Sequence, residues 1–228
     1  MESATITVLG KPEAVIFDVD GTLFKTESVI VRAYERMFDQ LRAEGLFRNE
    51  TPPVENLLGS LGMLLKDIWA RVIPGVDETV HRRADDLLLA YQLEEMEQGA
   101  SELYPGVQAT VKKLHDQGIR LFVASNGLEP YVKGVLRHTG IASCFEGVYS
   151  AGEHKTASKV DLVRMLLDDS GVRRGWMVGD RSSDVEAGTR NGLTVIGCGY
   201  AGFGAERELA GSDAIIGSFD QLLALAGI

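Results

Sequence analysis

Residues 15–24 read VIFDVDGTLF. The apolar run suits a strand in a sheet interior, yet it leads straight into Asp18 and Asp20, two positions apart, and then Gly21 and Thr22. Like charges this close raise each other's cost of ionisation. A bound cation is the expected compensation.

Working outward, short β-rich runs alternate with helical patterns. AVIF, RLFVAS, GWMVGD, LTVIGC and DAIIGS are the expected strands. GVQATVKKLHDQG, LEPYVKGVLRHTG, SKVDLVRMLLDDSG and SDVEAGTRNG carry apolar residues at helical spacing and stop at or near glycine. Strands separated by helices imply right-handed crossovers, so the expected fold is α/β: a Rossmann-like parallel sheet with helices on both faces. The segment from Thr26 to Glu102 shows amphipathic helical patterns and no convincing strand. It is expected to be an inserted all-helical cap domain, residues 26–102, on a core formed by 1–25 and 103–228. LYPG, residues 103–106, punctuates the return to the core.

Composition narrows the partners. Lys+Arg of 23 against Asp+Glu of 33 gives a net charge of -10. Nucleic acid and anionic membranes need a basic face and are not expected as partners, whereas a small phosphate ester needs only a local positive pocket. No apolar run is long enough for a membrane span, and MESATITVLGKP lacks the basic start and apolar centre of a secretion signal. Cys144 and Cys198 have no metal-type spacing and suit thiols in a reducing cytoplasm. No obligate protein partner is evident.

In open parallel sheets, ligands bind beyond the carboxyl ends of the strands. The first expected strand delivers Asp18, Asp20, Gly21 and Thr22 there; the second delivers Ser125, Asn126 and Gly127. Lys159 starts a later helix, and GWMVGD ends in Asp180 with Asp184 beyond it. Each motif alone has a structural explanation as a turn, a helix cap or a surface lysine. Together, in this order, they suit phosphoryl transfer. Oxygen-rich ligation favours Mg²⁺, with Asp18 and Asp180 supplying oxygens. An Asp carboxylate needs no base to become a nucleophile, so Asp18 could form an aspartyl-phosphate. Asp20 could protonate the leaving alcohol and then deprotonate water. Lys159, Ser125, Asn126, Thr22 and the N–H groups near Gly21 are expected on the transferring oxygens.

VIFDVDGTLF, ASNG, Lys159 and VGDRSSDVEAG resemble the four motifs of the haloacid dehalogenase-like hydrolases, in their usual order and over essentially the whole chain. The run GDRSSDVEAGTRNGLTVIGCGYAGFGAERELAGSDAIIGSFDQLL, residues 179–223, is similar to the branch containing phosphoglycolate phosphatases and 5′-nucleotidases. The resemblance implies that Asp18 is the nucleophile and Asp20 the acid/base whose main-chain oxygen also meets Mg²⁺. It further implies that Ser125 contacts phosphate, Lys159 stabilises charge, Asp180 ligates the metal and Asp184 supports it. Two departures stand out. Many members carry Asp-Ser where this chain has Lys25-Thr26, and their motif lysine often precedes proline, as neither Lys155 nor Lys159 does. Lys159 is preferred over Lys155 because it opens an apolar-periodic helix.

In the cap, Gly59 and Gly62 suit a loop facing the pocket, with Lys66 or Arg71 available to a second anionic group. Trp69 and Leu87–Leu89 read as packing residues. A Mg²⁺-dependent phosphatase for a small phosphate monoester is the leading function. A sugar phosphomutase that returns the phosphoryl group to a bound intermediate is the alternative. A phospho-acceptor signalling domain would be about half as long and would lack the helical insertion. Dehalogenation leaves Asp20 without a task.

Overall fold

The computed structural model describes residues 8–63, 65–202 and 204–228, with the side chains of Leu65 and Lys66 set aside. Strand β1 is Ala14–Phe17, and all four residues are buried. It lies centrally in a six-stranded sheet, among the described residues, with β2 (Arg120–Ser125), β3 (Gly147–Ser150), β4 (Gly175–Gly179), β5 (Thr194–Cys198) and β6 (Ala214–Ile216). The order is β3-β2-β1-β4-β5-β6 and every pairing is parallel. The expected α/β class is therefore observed.

Alternation along β1 splits the core between two layers, because successive side chains face opposite sides of a strand. Val15 and Phe17 join one apolar cluster with α5 (Val107–Asp116), α6 (Glu129–His138) and α11 (Gln221–Ala226). Ala14 and Ile16 join the other, with α8 (Lys159–Ser170) and α9 (Ser182–Arg190). Covering both faces is what an all-parallel sheet requires. Each large apolar side chain so enclosed contributes on the order of 1.5–3 kcal/mol relative to exposure.

Four helices follow β1: α1 (Glu27–Ala43), α2 (Val54–Leu58), α3 (Leu65–Val72) and α4 (Glu78–Glu97). In α1 the buried residues Val29, Ile30, Ala33, Tyr34, Met37, Phe38 and Leu41 form one stripe at helical spacing. Most of that stripe joins a separate apolar cluster with Leu57, Trp69, Val80, Ala84 and Leu88. This insertion has its own core and caps the carboxyl ends of the sheet. The chain crosses into and out of it at paired points. Phe24 bridges Leu103, Lys25 N donates to the Glu102 carbonyl over 2.8 Å, and the Lys25 and Glu102 side chains form an ion pair.

The structure adds β3 to the five expected strands, together with short helices at α2, α11, Ala151–His154 (α7) and Ala205–Glu208 (α10). Among the described residues no helix is long and apolar enough to cross a membrane.

Candidate active site

Register brings the acidic residues together. Phe17 pairs with Val123 on one side and Val178 on the other, so β2, β1 and β4 end at one level. Asp18 N still donates to the Val178 carbonyl at 3.0 Å. Beyond that level lie Asp18, Ser125 and Asp180, at the point where strand order reverses, the usual crevice of this fold class.

Two glycines permit the close approach. Gly21 adopts φ +78, and a Cβ there would lie 2.4 Å from Asp180 Oδ2. A Cβ on Gly179 would lie 2.2 Å from Asp184 Cγ. Thr22 Oγ1 donates to Asp180 Oδ1 at 3.2 Å, fixing that carboxylate from the β1 side.

Lys159 is delivered by the start of α8. Ser158 caps the helix by accepting from Asp161 N at 3.2 Å, which places Lys159 at the first helical position. Its Nζ lies 2.6 Å from Asp18 Oδ1 and 2.5 Å from Asp184 Oδ1, and all three side chains are buried. Asp18 Oδ2 accepts no hydrogen bond. Oxygens of Asp18, Asp180 and Asp184 lie within 4.8 Å of one another. Three buried carboxylates face one ammonium, and one oxygen is unpartnered. A divalent cation fits that imbalance, since oxygen-only ligation by carboxylates is the preference of hard cations.

The electrostatics state the same need. Burial pushes the Asp18 carboxyl up from 3.8 to about 7, with Asp184 and Asp20 adding to the rise and Lys159 opposing it. Asp180 is pushed well up by burial and by its neighbours Asp18 and Asp184. Burial alone would pull Lys159 down, but Asp18 and Asp184 more than offset this and hold it above its ordinary value.

Asp20 is held differently. Its Oδ1 accepts from Thr26 Oγ1 at 2.5 Å and from the Tyr131 hydroxyl on α6. Burial raises the Asp20 carboxyl, and these two hydrogen bonds moderate the rise. A raised carboxyl with fixed orientation suits proton donation.

The site opens into a cavity of about 70 Å³ between core and cap. Asp18, Asp20, Ser125, Asn126 and Gly127 line it from the core. Leu57, Leu61, Trp69, Asp85, Leu88 and Gln92 are among its cap-side lining. Trp69 thus serves both cap packing and the cavity wall. Asn126 Nδ2 donates to the Gly62 carbonyl at 2.8 Å, and Arg181 Nη2 to the Gly59 carbonyl at 3.2 Å. These two contacts hold the cap loop against the core.

Sequence reasoning placed Asp18, Asp20, Gly21, Thr22, Ser125, Asn126, Lys159, Asp180 and Asp184 at this point, and the fold brings them together. Ser125 is buried and its Oγ accepts from Gly127 N at 3.1 Å. Lys155 instead is exposed in a left-handed turn (φ 52) after α7. Arg71 lies outside the cavity lining and points a guanidinium nitrogen at the Gly59 carbonyl; the Lys66 side chain lies outside the described residues. Tyr131 and the cap pair Asp85 and Gln92 were missed. Tyr131 sits in a helix whose apolar spacing reads as core throughout.

Comparison with known proteins gives the same family. The family model described as haloacid dehalogenase-like hydrolase matches residues 12–192. A phosphoglycolate phosphatase from Rhodospirillum rubrum is 30% identical over 94% of this chain and 89% of that protein. The tyrosine-protein kinase PtkA of Mycobacterium tuberculosis is 29% identical over 83% of this chain, which spans only 63% of that kinase's length. Among solved structures, CbbY from Rhodobacter sphaeroides in complex with phosphate superposes with a TM-score of 0.73 at 26% identity, covering 95% of this chain and 100% of that one.

Proposed function

Because the chain belongs to the haloacid dehalogenase-like hydrolases, we propose that it is a Mg²⁺-dependent phosphatase acting on a small phosphate monoester through an aspartyl-phosphate. The observation that carries this reading is the buried meeting of Asp18, Asp180 and Asp184 with Lys159, where Asp18 Oδ2 has no hydrogen-bond partner. The phosphatase name of the Rhodospirillum relative and the phosphate bound to CbbY support it.

Asp18, Asp180 and Asp184, with the main-chain oxygen of Asp20, would hold Mg²⁺, whose charge lets a carboxylate and a phosphate dianion approach. An Asp18 oxygen bonds to phosphorus as the phosphorus–oxygen bond to the alcohol breaks. Asp20, its protonated form favoured by burial and its carboxyl aimed by Thr26 and Tyr131, gives its proton to the departing alcohol. It then takes a proton from water, which attacks phosphorus and frees Asp18 and inorganic phosphate. Lys159, Ser125, Asn126 and the N–H groups near Gly21 balance charge on the transferring oxygens, while Thr22 holds the Asp180 carboxylate in place. Residues 26–102 act as the cap that excludes bulk water during these steps. Two free cysteines accord with a reducing cytoplasm.

The test is phosphate release from a panel of small esters, including an aryl phosphate, with Mg²⁺ and after chelation. Turnover that vanishes on chelation and returns with Mg²⁺ is expected. No turnover with Mg²⁺, together with a long-lived phosphoprotein after acetyl phosphate treatment, would overturn the reading.

A further inference from the structure

The cavity has two chemically different ends. At the core end stand the groups that handle phosphate. The cap end is walled by Leu57, Leu61, Trp69 and Leu88, with two polar groups set among them, Asp85 and Gln92. Among the described residues no lysine or arginine lines the cavity. An ester with a second anion would meet the Asp85 carboxylate there and, among the described residues, no opposite charge.

The two polar groups are not consumed by the fold. Gln92 is 7% exposed, lines the cavity, and its amide makes no hydrogen bond among the described residues. Asp85 Oδ1 accepts from Trp69 Nε1, which aims the carboxylate while Oδ2 has no hydrogen bond or ion pair. Neither the Gln92 amide nor Asp85 Oδ2 is sealed inside the protein, so a ligand in the cavity can reach both in place of water. Asp85 is the cap's single ionisable side chain at the cavity, among the described residues. Burial raises its carboxyl, with Trp69 opposing the rise, and a cation placed beside it would offset the cost of holding it ionised there.

Size limits the rest. A cavity of about 70 Å³, at roughly 10–15 Å³ per water position, holds about five waters. That suits a two- or three-carbon alcohol.

Resting on the phosphatase reading above, we propose that the substrate is the phosphate ester of a short amino alcohol, its ammonium bound by Asp85 and by the side-chain carbonyl of Gln92. Specificity then comes from attraction to one class and repulsion of the carboxylate-bearing class.

The experiment measures kcat/KM with Mg²⁺ for 2-aminoethyl phosphate, 2-hydroxyethyl phosphate, ethyl phosphate and phosphoglycolate, with an aryl phosphate as control. Wild type is expected to favour the aminoethyl ester over phosphoglycolate at least tenfold. Asp85→Asn retains an acceptor for Trp69 Nε1 and should cut the aminoethyl-to-ethyl ratio at least tenfold; Gln92→Leu should lower the same ratio. Phosphoglycolate matching or exceeding the aminoethyl ester would overturn the inference, as would an unchanged ratio in Asp85→Asn. Hydrolysis of the aryl control but of none of the four alkyl esters would overturn this inference alone. Failure on all five would overturn the phosphatase reading with it.

Discussion

The Tyr131 hydroxyl reaches Asp20 across 111 positions of sequence and shares Oδ1 with Thr26. Both hydrogen bonds favour the ionised carboxylate, against the burial that raises its pKa. Tyr131→Phe removes one of them, so the Asp20 pKa should rise further. The alkaline limb of the kcat/KM profile should then move to higher pH, because the acid stays protonated longer, and turnover should fall about tenfold as aim is lost. A profile measured from pH 5 to 9 checks this; an alkaline limb that moves downward contradicts it. At this scale the acidic cluster was readable because Asp18, Asp20, Ser125 and Asp180 each follow an apolar run. Tyr131 was not readable, since an aromatic at the core spacing of a helix looks the same whether or not its hydroxyl has a task.

Elements carry these side chains and close over them. Ser158 at the head of α8 and the left-handed Gly171 at its end set where Lys159 begins the helix. That placement was legible in SKVDLV, whereas Lys155, four residues earlier, terminates the short α7 and faces solvent. The strand β3 was not legible: it has four residues, lies at the sheet edge, and three of them are only half buried, which blurs any pattern. Helices α2, α7, α10 and α11 have six residues or fewer, too short to show a period. Asn126 and Arg181 donate to the Gly62 and Gly59 carbonyls and tie the cap loop to the core. The variant Arg181→Ala should loosen the loop and raise KM several-fold, with limited proteolysis cutting near residues 59–63 faster than in wild type. Unchanged KM and cleavage would show that closure rests on other contacts. The inward half of the cap was the least readable part of the molecule, because which face of a helix looks into a cavity depends on packing against a distant element.

For the whole molecule, the buried acid cluster sets a pH dependence of stability. The Asp18 carboxyl is raised from 3.8 to about 7 in the fold. Between those values the folded chain holds a proton that the unfolded chain lacks, so stability falls as pH rises through this window. Surface carboxylates held low by partners, such as Glu44 beside Arg83, titrate below it. Metal-free protein should therefore melt at a higher temperature at pH 5 than at pH 8, by roughly 2–4 °C for each kcal/mol involved. Excess Mg²⁺ or Asp18→Asn should narrow the difference. A melting temperature that climbs from pH 5 to pH 8 without metal contradicts this. The α/β core with its helical insertion was legible as a whole because alternation and period are properties of long segments, which local exceptions do not disturb.

The most direct measurement is the turnover of Asp18→Asn with Mg²⁺ on the best ester, with mass spectrometry excluding reversion to aspartate. An amide oxygen is a poor nucleophile, and the variant should lose at least about a thousandfold in kcat, roughly 4 kcal/mol of barrier. Turnover within tenfold of wild type would show that phosphorus never bonds to this side chain.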